Sequence, residues 1–183
     1  MVDSPNIAHF FVTALQQRCS VVTNPETGET VIIDGGGDSS RIIEWIDSGL
    51  GEPDHEIGGY LGERKVVALI NTHAHFDHSG HIPYLKEHYS LDWWLHKDDF
   101  FLQSLAQPSG RRWGFPLPEP AVAENTWEHG DVHTFGGMEF EILHTPGHTL
   151  GGGCIMLIVN AGAVPLVGGG RVVGGAMGGR GVG

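Results

Sequence analysis

The chain has 183 residues, with 22 acidic against 10 basic side chains and a formal charge of −12 with histidine neutral. That length suits one domain burying ~70% of its unfolded surface. A negative balance with no Lys- or Arg-rich run speaks against a nucleic-acid or anionic-membrane partner, because both attract positive patches.

Met1 to Gln17 holds an apolar patch, Ile7 to Leu15, but Asp3 stands where a signal peptide would be basic. No run approaches the ~20 apolar residues of a membrane span. Cys19 and Cys154 are too few for a disulfide framework and read as small buried thiols, so a cytoplasmic protein is expected. Cys19 to Asn24 and Glu29 to Asp34 are β-rich, and Pro25-Glu26-Thr27-Gly28 between them has turn chemistry, which predicts a hairpin. Gly35-Gly36-Gly37 breaks the strand. Ser39-Ser40 offers an N-cap to a helix over Arg41 to Asp47, whose Ile42, Trp45 and Ile46 share a face.

Gly49 to Gly62 reads as loop. Val66 to Asn71 is a continuous apolar run, as a strand buried on both faces requires. Ser79 offers a cap to a helix through Ile82, Leu85 and Tyr89, with Pro83 tolerated in its first turn. Asp92 to His96 predicts a strand, Lys97 to Leu105 a helix, and Gln107 to Ala121, with its prolines, an irregular connection. Glu139 to Leu143 alternates as a strand, and Ile155 to Val159 suits another. From Gly151 onward no Asp, Glu, Lys, His, Ser, Thr or aromatic residue occurs, and Gly168 to Gly183 is low in complexity. Such a segment has little side-chain area to offset its ordering entropy.

Two clusters carry the chemistry. Thr72-His73-Ala74-His75-Phe76-Asp77-His78 packs four ligand-type residues into six positions, in the pattern His-x-His-x-Asp-His. On extended chain, residues two apart point the same way, so His73 and His75 can grip one ion. The turn that follows carries Asp77 and His78 to the same small volume. Imidazole nitrogen with carboxylate oxygen favours a transition metal, Zn²⁺ or Fe²⁺, over the all-oxygen shells of Ca²⁺ and Mg²⁺. The second cluster is His144-Thr145-Pro146-Gly147-His148-Thr149, where Pro146-Gly147 forces a turn. His144 by itself reads as a strand-end histidine bonded to backbone.

Together these residues resemble the metallo-β-lactamase-fold superfamily, and Glu29 to Gly37 resembles that family's early strand ending in Asp-x-Gly. Within it the glyoxalase II branch, the hydroxyacylglutathione hydrolases, is the most similar, through Cys19 to Asp34 and Leu95-His96-Lys97-Asp98-Asp99. The resemblance implies an α+β fold, the four-layer αββα sandwich, over residues 1–155 and incomplete in its C-terminal half. Residues 156–183 are expected to be a Gly-rich tail, disordered or outside the family. It implies that His73, His75 and His148 hold a first metal, and that Asp77 and His78 belong to a second. Asp77 would also act beside the attacking water, while Asp34 would be structural. The family expectation is two Zn²⁺ per chain.

The implied activity is metal-dependent hydrolysis of a thioester or similar acyl bond, with a small-molecule substrate such as a glutathione thioester. The same fold admits two alternatives, a mononuclear non-haem iron sulfur (persulfide) dioxygenase and a non-catalytic homologue binding one metal or none. The family's later bridging Asp and final His have no counterpart, since no Asp follows Asp131 and no His follows His148. One Zn²⁺ is therefore the expectation for this chain, with Fe²⁺ the alternative metal. Trp93, Trp94 and Trp113 are expected as core or cover residues rather than pocket walls.

Overall fold

The computed structural model of the chain describes residues 2, 4–160 and 162–166. Two sheets lie face to face. The first contains β1 (Asn6–Val12), β2 (Gln17–Thr23), β3 (Glu29–Ile33), β4 (His55–Ile57), β5 (Lys65–Ile70) and β6 (Trp93–Trp94), in the order β4-β1-β2-β3-β5-β6. Its first four strands in that order pair antiparallel, and β3-β5-β6 pair parallel. The second contains β7 (Val132–Phe135), β8 (Met138–His144), β9 (Gly153–Val159) and β10 (Gly162–Leu166), in the antiparallel order β10-β9-β8-β7. The helices are α1 (Ser39–Ser48), α2 (Phe76–Ser79), α3 (Ile82–Tyr89), α4 (Phe100–Gln103) and α5 (Ala106–Arg112).

The period of two along each strand divides the core. Phe10, Cys19, Val21, Ile32 and Leu69 pack outward against Ile42 and Trp45 of α1 and Ile82 and Leu85 of α3. Ile7, Val22, Val31, Ile33 and Ile70 face inward onto Met138, Phe140, Ile142, Ile155 and Leu157 of the second sheet. Each such side chain contributes about 1.5–3 kcal/mol by leaving water. The result is an α+β sandwich with α1 and α3 on one outer face. The outer face of the second sheet is half-buried through Glu139, Glu141, Leu143, Cys154, Met156 and Ile158.

The hairpin forms as the sequence predicts, with Asn24 N–H donating to Glu29 O at 2.8 Å. Several local expectations change. The stretch read as loop contains β4, whose residues are all exposed. It adds backbone bonds to the edge of β1, which no hydrophobic pattern announces. Asp38 rather than a serine occupies the N-cap position of α1, and its carboxylate accepts Thr13 N–H instead of a helix N–H. Ser79 ends α2 and donates to the carbonyls of Ala74 and His75, leaving His81 as the cap of α3. The segment from Gln107, expected to be irregular, is helical as far as Arg112, because Pro108 falls in the first turn of α5 where a missing N–H costs nothing.

The strand predicted at Asp92 to His96 shortens to Trp93–Trp94, and the following helix opens with a 3₁₀ turn, Lys97–Asp99. Cys19 is fully buried, whereas Cys154 is only partly so. Strand β9 runs across the expected 155/156 boundary and β10 lies beyond it, and residues 167–183 of the Gly-rich stretch lie outside the described residues.

Candidate metal centre

Both clusters sit at one end of the sandwich, each delivered by the C-terminal end of a strand, β5 for His73 to His78 and β8 for His144 to His148. After β5 the chain turns sharply into α2. Buried Asn71 holds that turn, its Nδ2 donating to His73 O at 3.2 Å and His78 O at 2.7 Å, while Trp93 Nε1 donates to its Oδ1 at 3.1 Å. After β8 a reverse turn brings Thr145 N–H to Gly152 O at 2.8 Å and exposes His148 at its tip.

His73, His75 and His148 converge, each with a ligand nitrogen within 4.8 Å of the others. His75 Nδ1 and His148 Nε2 are 3.0 Å apart. Ring centroids lie 5.0 Å apart for His73–His75 and 4.9 Å for His73–His148, both edge to face. The tautomer of His73 follows from its neighbours. Thr72 Oγ donates to Asp34 Oδ2 at 2.7 Å, so it accepts from His73 Nδ1–H at 3.2 Å. That leaves the Nε2 lone pair buried, with no hydrogen-bond partner. Burial, and then His78, His75 and His148 around it, push the His73 pKa down to about 2. Burial and His148 lower His75 as well. Neutral imidazoles whose nitrogens face one another are the donor set of a transition-metal ion, and these residues fit one.

Asp77 and His78 lie alongside. The His78 ring is 4.0 Å from that of His73, and its Nε2 is 3.6 Å from Asp77 Oδ2. Two ligands of one ion with bonds of ~2.1 Å commonly stand about 3–3.6 Å apart, so the pair has ligand spacing. The other nitrogen of His78, Nδ1, donates to Asp34 Oδ2 at 3.2 Å. Burial lowers the His78 pKa, but the Asp34 charge and hydrogen bond, with Asp77, outweigh it and leave the pKa raised. Asp34 also accepts Thr72 N–H at 2.8 Å. One buried carboxylate thus orients His78 directly and His73 through a hydroxyl, an arrangement common behind metal-bound histidines. Its left-handed backbone, φ 57°, lets the chain turn out of β3 at that point.

His144 bonds to backbone as the sequence suggested, Nε2 donating to Leu150 O at 2.8 Å. It forms a second grouping with His96 and Asp98, the rings of His96 and His144 stacked at 4.4 Å. His96 Nδ1 already accepts Asp98 N–H, so that grouping reads as structural.

Asp99 is the residue that sequence reasoning passed over. It is fully buried. Its Oδ2 accepts from Ala74 N–H at 3.2 Å and Thr149 Oγ at 2.8 Å, and its Oδ1 from Gly151 N–H at 2.7 Å. It therefore ties the His75 loop to the His148 loop. A second Asp in a turn after a strand carries no pattern that distinguishes it from a solvated charge. Of the tryptophans, Trp93 is core and Trp94 is half-buried. Trp113 is 65% exposed and lies over Phe76, so it is no core residue but covers a neighbouring ring.

Comparison with known proteins identifies the family and the fold. The family model of the metallo-beta-lactamase superfamily matches residues 12–157. The hydroxyacylglutathione hydrolase GloC of Haemophilus influenzae is 37% identical over 150 residues, covering 80% of this chain. Among solved structures, the B3 metallo-beta-lactamase BLEG-1 superposes with a TM-score of 0.68 at 25% identity, covering 82% of this chain and 66% of its own. The protein TTHA1623, in a di-iron-bound form, gives 0.63 at 28% identity, covering 80% and 65%. The chain spans 63% of the length of GloC and 58% of another curated relative. With a match across most of its length and the same two-sheet architecture, this chain belongs to the metallo-beta-lactamase superfamily.

Proposed function

We propose that the chain is a metal-dependent hydrolase acting on a thioester or similar acyl bond, in the manner of the hydroxyacylglutathione hydrolases. One observation carries the reading. The Nε2 lone pair of His73 is buried and unpartnered, and it belongs to a trio of histidines whose ligand atoms converge. His73, His75 and His148 would hold one metal, with Asp77 and His78 offering a partial second site. Zn²⁺ is the proposed ion and Fe²⁺ the alternative, the latter supported by the di-iron form of TTHA1623. A bound ion supplies a Lewis acid that makes water acidic enough to attack near neutral pH.

The protein's own groups do the rest. Asp77, partly exposed beside the cluster, accepts the proton of the attacking water at its carboxylate and returns it to the departing thiolate. Water oxygen bonds to the acyl carbon, the C–S bond breaks, and the products are a thiol and a carboxylic acid that gives its remaining proton to solvent as the carboxylate. Asp34 and Thr72 keep the lone pair of His73 aimed and its Nδ1 protonated. The GloC relative supports a small-molecule substrate such as a glutathione thioester. No helix among the described residues is long and apolar enough to cross a membrane. We place the protein in the cytoplasm, with neither a nucleic-acid nor a membrane partner.

Elemental analysis of protein purified without added metal or chelator tests this reading, together with a thioester screen. Zinc at one ion or more per chain, lost in His73→Gln, with release of free thiol, is expected. One iron per chain with oxygen uptake on a persulfide would replace the hydrolase with the dioxygenase. Absence of any bound metal after zinc incubation would leave only the non-catalytic homologue.

A further inference from the structure

Resting on the hydrolase reading, we infer that the cleft beside Asp77 receives the acyl part of the substrate and selects an uncharged, apolar group. The cleft has a volume of about 320 Å³, within the ~300–1,000 Å³ range usual for small-molecule sites. Phe76, Phe115, Pro116 and Leu117 line it together with Asp77, the residue it shares with the proposed centre. Phe76 lies between two metal-motif residues, and the motif therefore builds the wall of the cleft as well as the centre.

The apolar side is built rather than incidental. Phe76 stacks on Trp113 at 6.5 Å and meets the tilted ring of Phe115 at 5.9 Å. Leu117 fits against Gly80 and Gly110, where an added Cβ would meet it at 2.8 and 2.5 Å. Those contacts fix the loop from Trp113 to Leu117 onto α2 and α5, so the cleft exists before any ligand arrives.

The polar lining decides what is refused. Asp38 and Asp77 are its charged groups, and no Lys or Arg lines it among the described residues. Asp38 already accepts Thr13 N–H at 3.0 Å, and His81 Nδ1 is 3.0 Å from Ser39 Oγ. The two carboxylates repel an anionic acyl tail, while a hydrocarbon tail meets aromatic and aliphatic walls. A hexanoyl or aryl group fits this chemistry, and a succinyl group does not.

The test uses the full chain loaded with zinc, its metal content measured on the same sample. Acetate, butyrate, hexanoate and succinate are titrated by tryptophan fluorescence, with Trp113→Phe identifying the reporting ring. Matching thioesters of one thiol are assayed in parallel. Affinity and kcat/KM are expected to rise by about fourfold for each buried methylene, with succinate weakest of the four-carbon acids. Phe115→Ser should flatten that slope. Pro116→Lys, at an exposed position that leaves the core intact, should raise succinate binding and lower hexanoate binding. Turnover with no dependence on chain length, or preference for succinate in the unaltered protein, would overturn the inference while leaving the hydrolase standing. A binding slope without turnover in zinc-loaded protein would keep the cleft and remove the hydrolase.

Discussion

Asp99→Ala separates the positioning of metal ligands from ligation itself, because Asp99 belongs to no ligand group and yet joins two ligand loops. Its carboxylate accepts from Ala74 N–H, Thr149 Oγ and Gly151 N–H at 0% exposure. A buried donor stripped of its partner costs about 1–3 kcal/mol, so three would nominally cost 3–9. The loops can swing toward water and recover part of that, which brings the expected loss to about 4 kcal/mol, a large share of a typical 5–15. Asp99→Asn should be milder. Its amide oxygen can still accept from Gly151 and its NH₂ can donate to the Thr149 hydroxyl, so only the 3.2 Å bond from Ala74 must fail, about 1–2 kcal/mol. Zinc affinity, read by competition with a chromophoric chelator, should fall about 10–100-fold in the alanine variant with all proposed ligands intact. Gly151→Ala attacks the same staple without changing charge. Its Cβ would meet Asp99 N at 2.8 Å and Cγ at 2.9 Å, so it should reproduce part of both losses. Denaturant unfolding supplies the stability half. Equal zinc affinity in wild type and Asp99→Ala would refute the staple, and so would identical losses in the alanine and asparagine variants.

Thr72→Val keeps the shape and removes the hydroxyl between Asp34 and His73. Zinc affinity should drop about 10-fold or more with little change in fold, and circular dichroism alongside the chelator titration checks both halves. Gly36→Ala should abolish metal binding through the backbone, since its Cβ would stand 1.8 Å from Asp77 O and 2.6 Å from His78 C; native-like zinc affinity in that variant would contradict the close approach. Acid stability has a contributor far from the metal. Burial, then Arg18 and His55, depress the His9 pKa to about 4. A depressed folded value means stability is fully present above the unfolded pKa of ~6.5 and is lost as pH falls toward 4. The side chain is half-exposed, so the discounted effect is about 1–2 kcal/mol. The fall in Tm between pH 6.5 and 4 should be shallower in His9→Gln, and an unchanged slope would count against it.

How much of this was legible beforehand varied with the kind of interaction. Sequence-local signals read well. The apolar run Val66 to Asn71 and the turn at Pro25 to Gly28 each express one short-range constraint and correspond to an element in the structure, and His73 and His75, two apart, come together with His148. Interactions between distant segments were silent. β4 is exposed at every residue and exists because backbone groups of β1 needed partners. Asp99 reaches 52 residues along the chain to Gly151, and nothing near it says so. The sequence assigned no role to the side chains of Asn71 and Thr72, although one clamps the turn and the other fixes a tautomer. Helix α5 misled because proline was counted without its position.

The environment of His73 explains why the arrangement calls for a cation rather than a proton. Its Nε2 lone pair has lost water and gained no donor, a state that normally costs about 1–3 kcal/mol. Protonation would be the ordinary relief. Burial and three neighbouring histidines oppose it here, because they hold the imidazole in its neutral form. His75 and His148 point nitrogen at nitrogen, so at most one of them can donate in that contact. All three strains vanish together if a Lewis acid sits among the lone pairs, with Asp77 near enough to offset its charge. The fold thus holds an unsatisfied acceptor set in place through Asp34, Asn71 and Asp99, none of which need touch the ion.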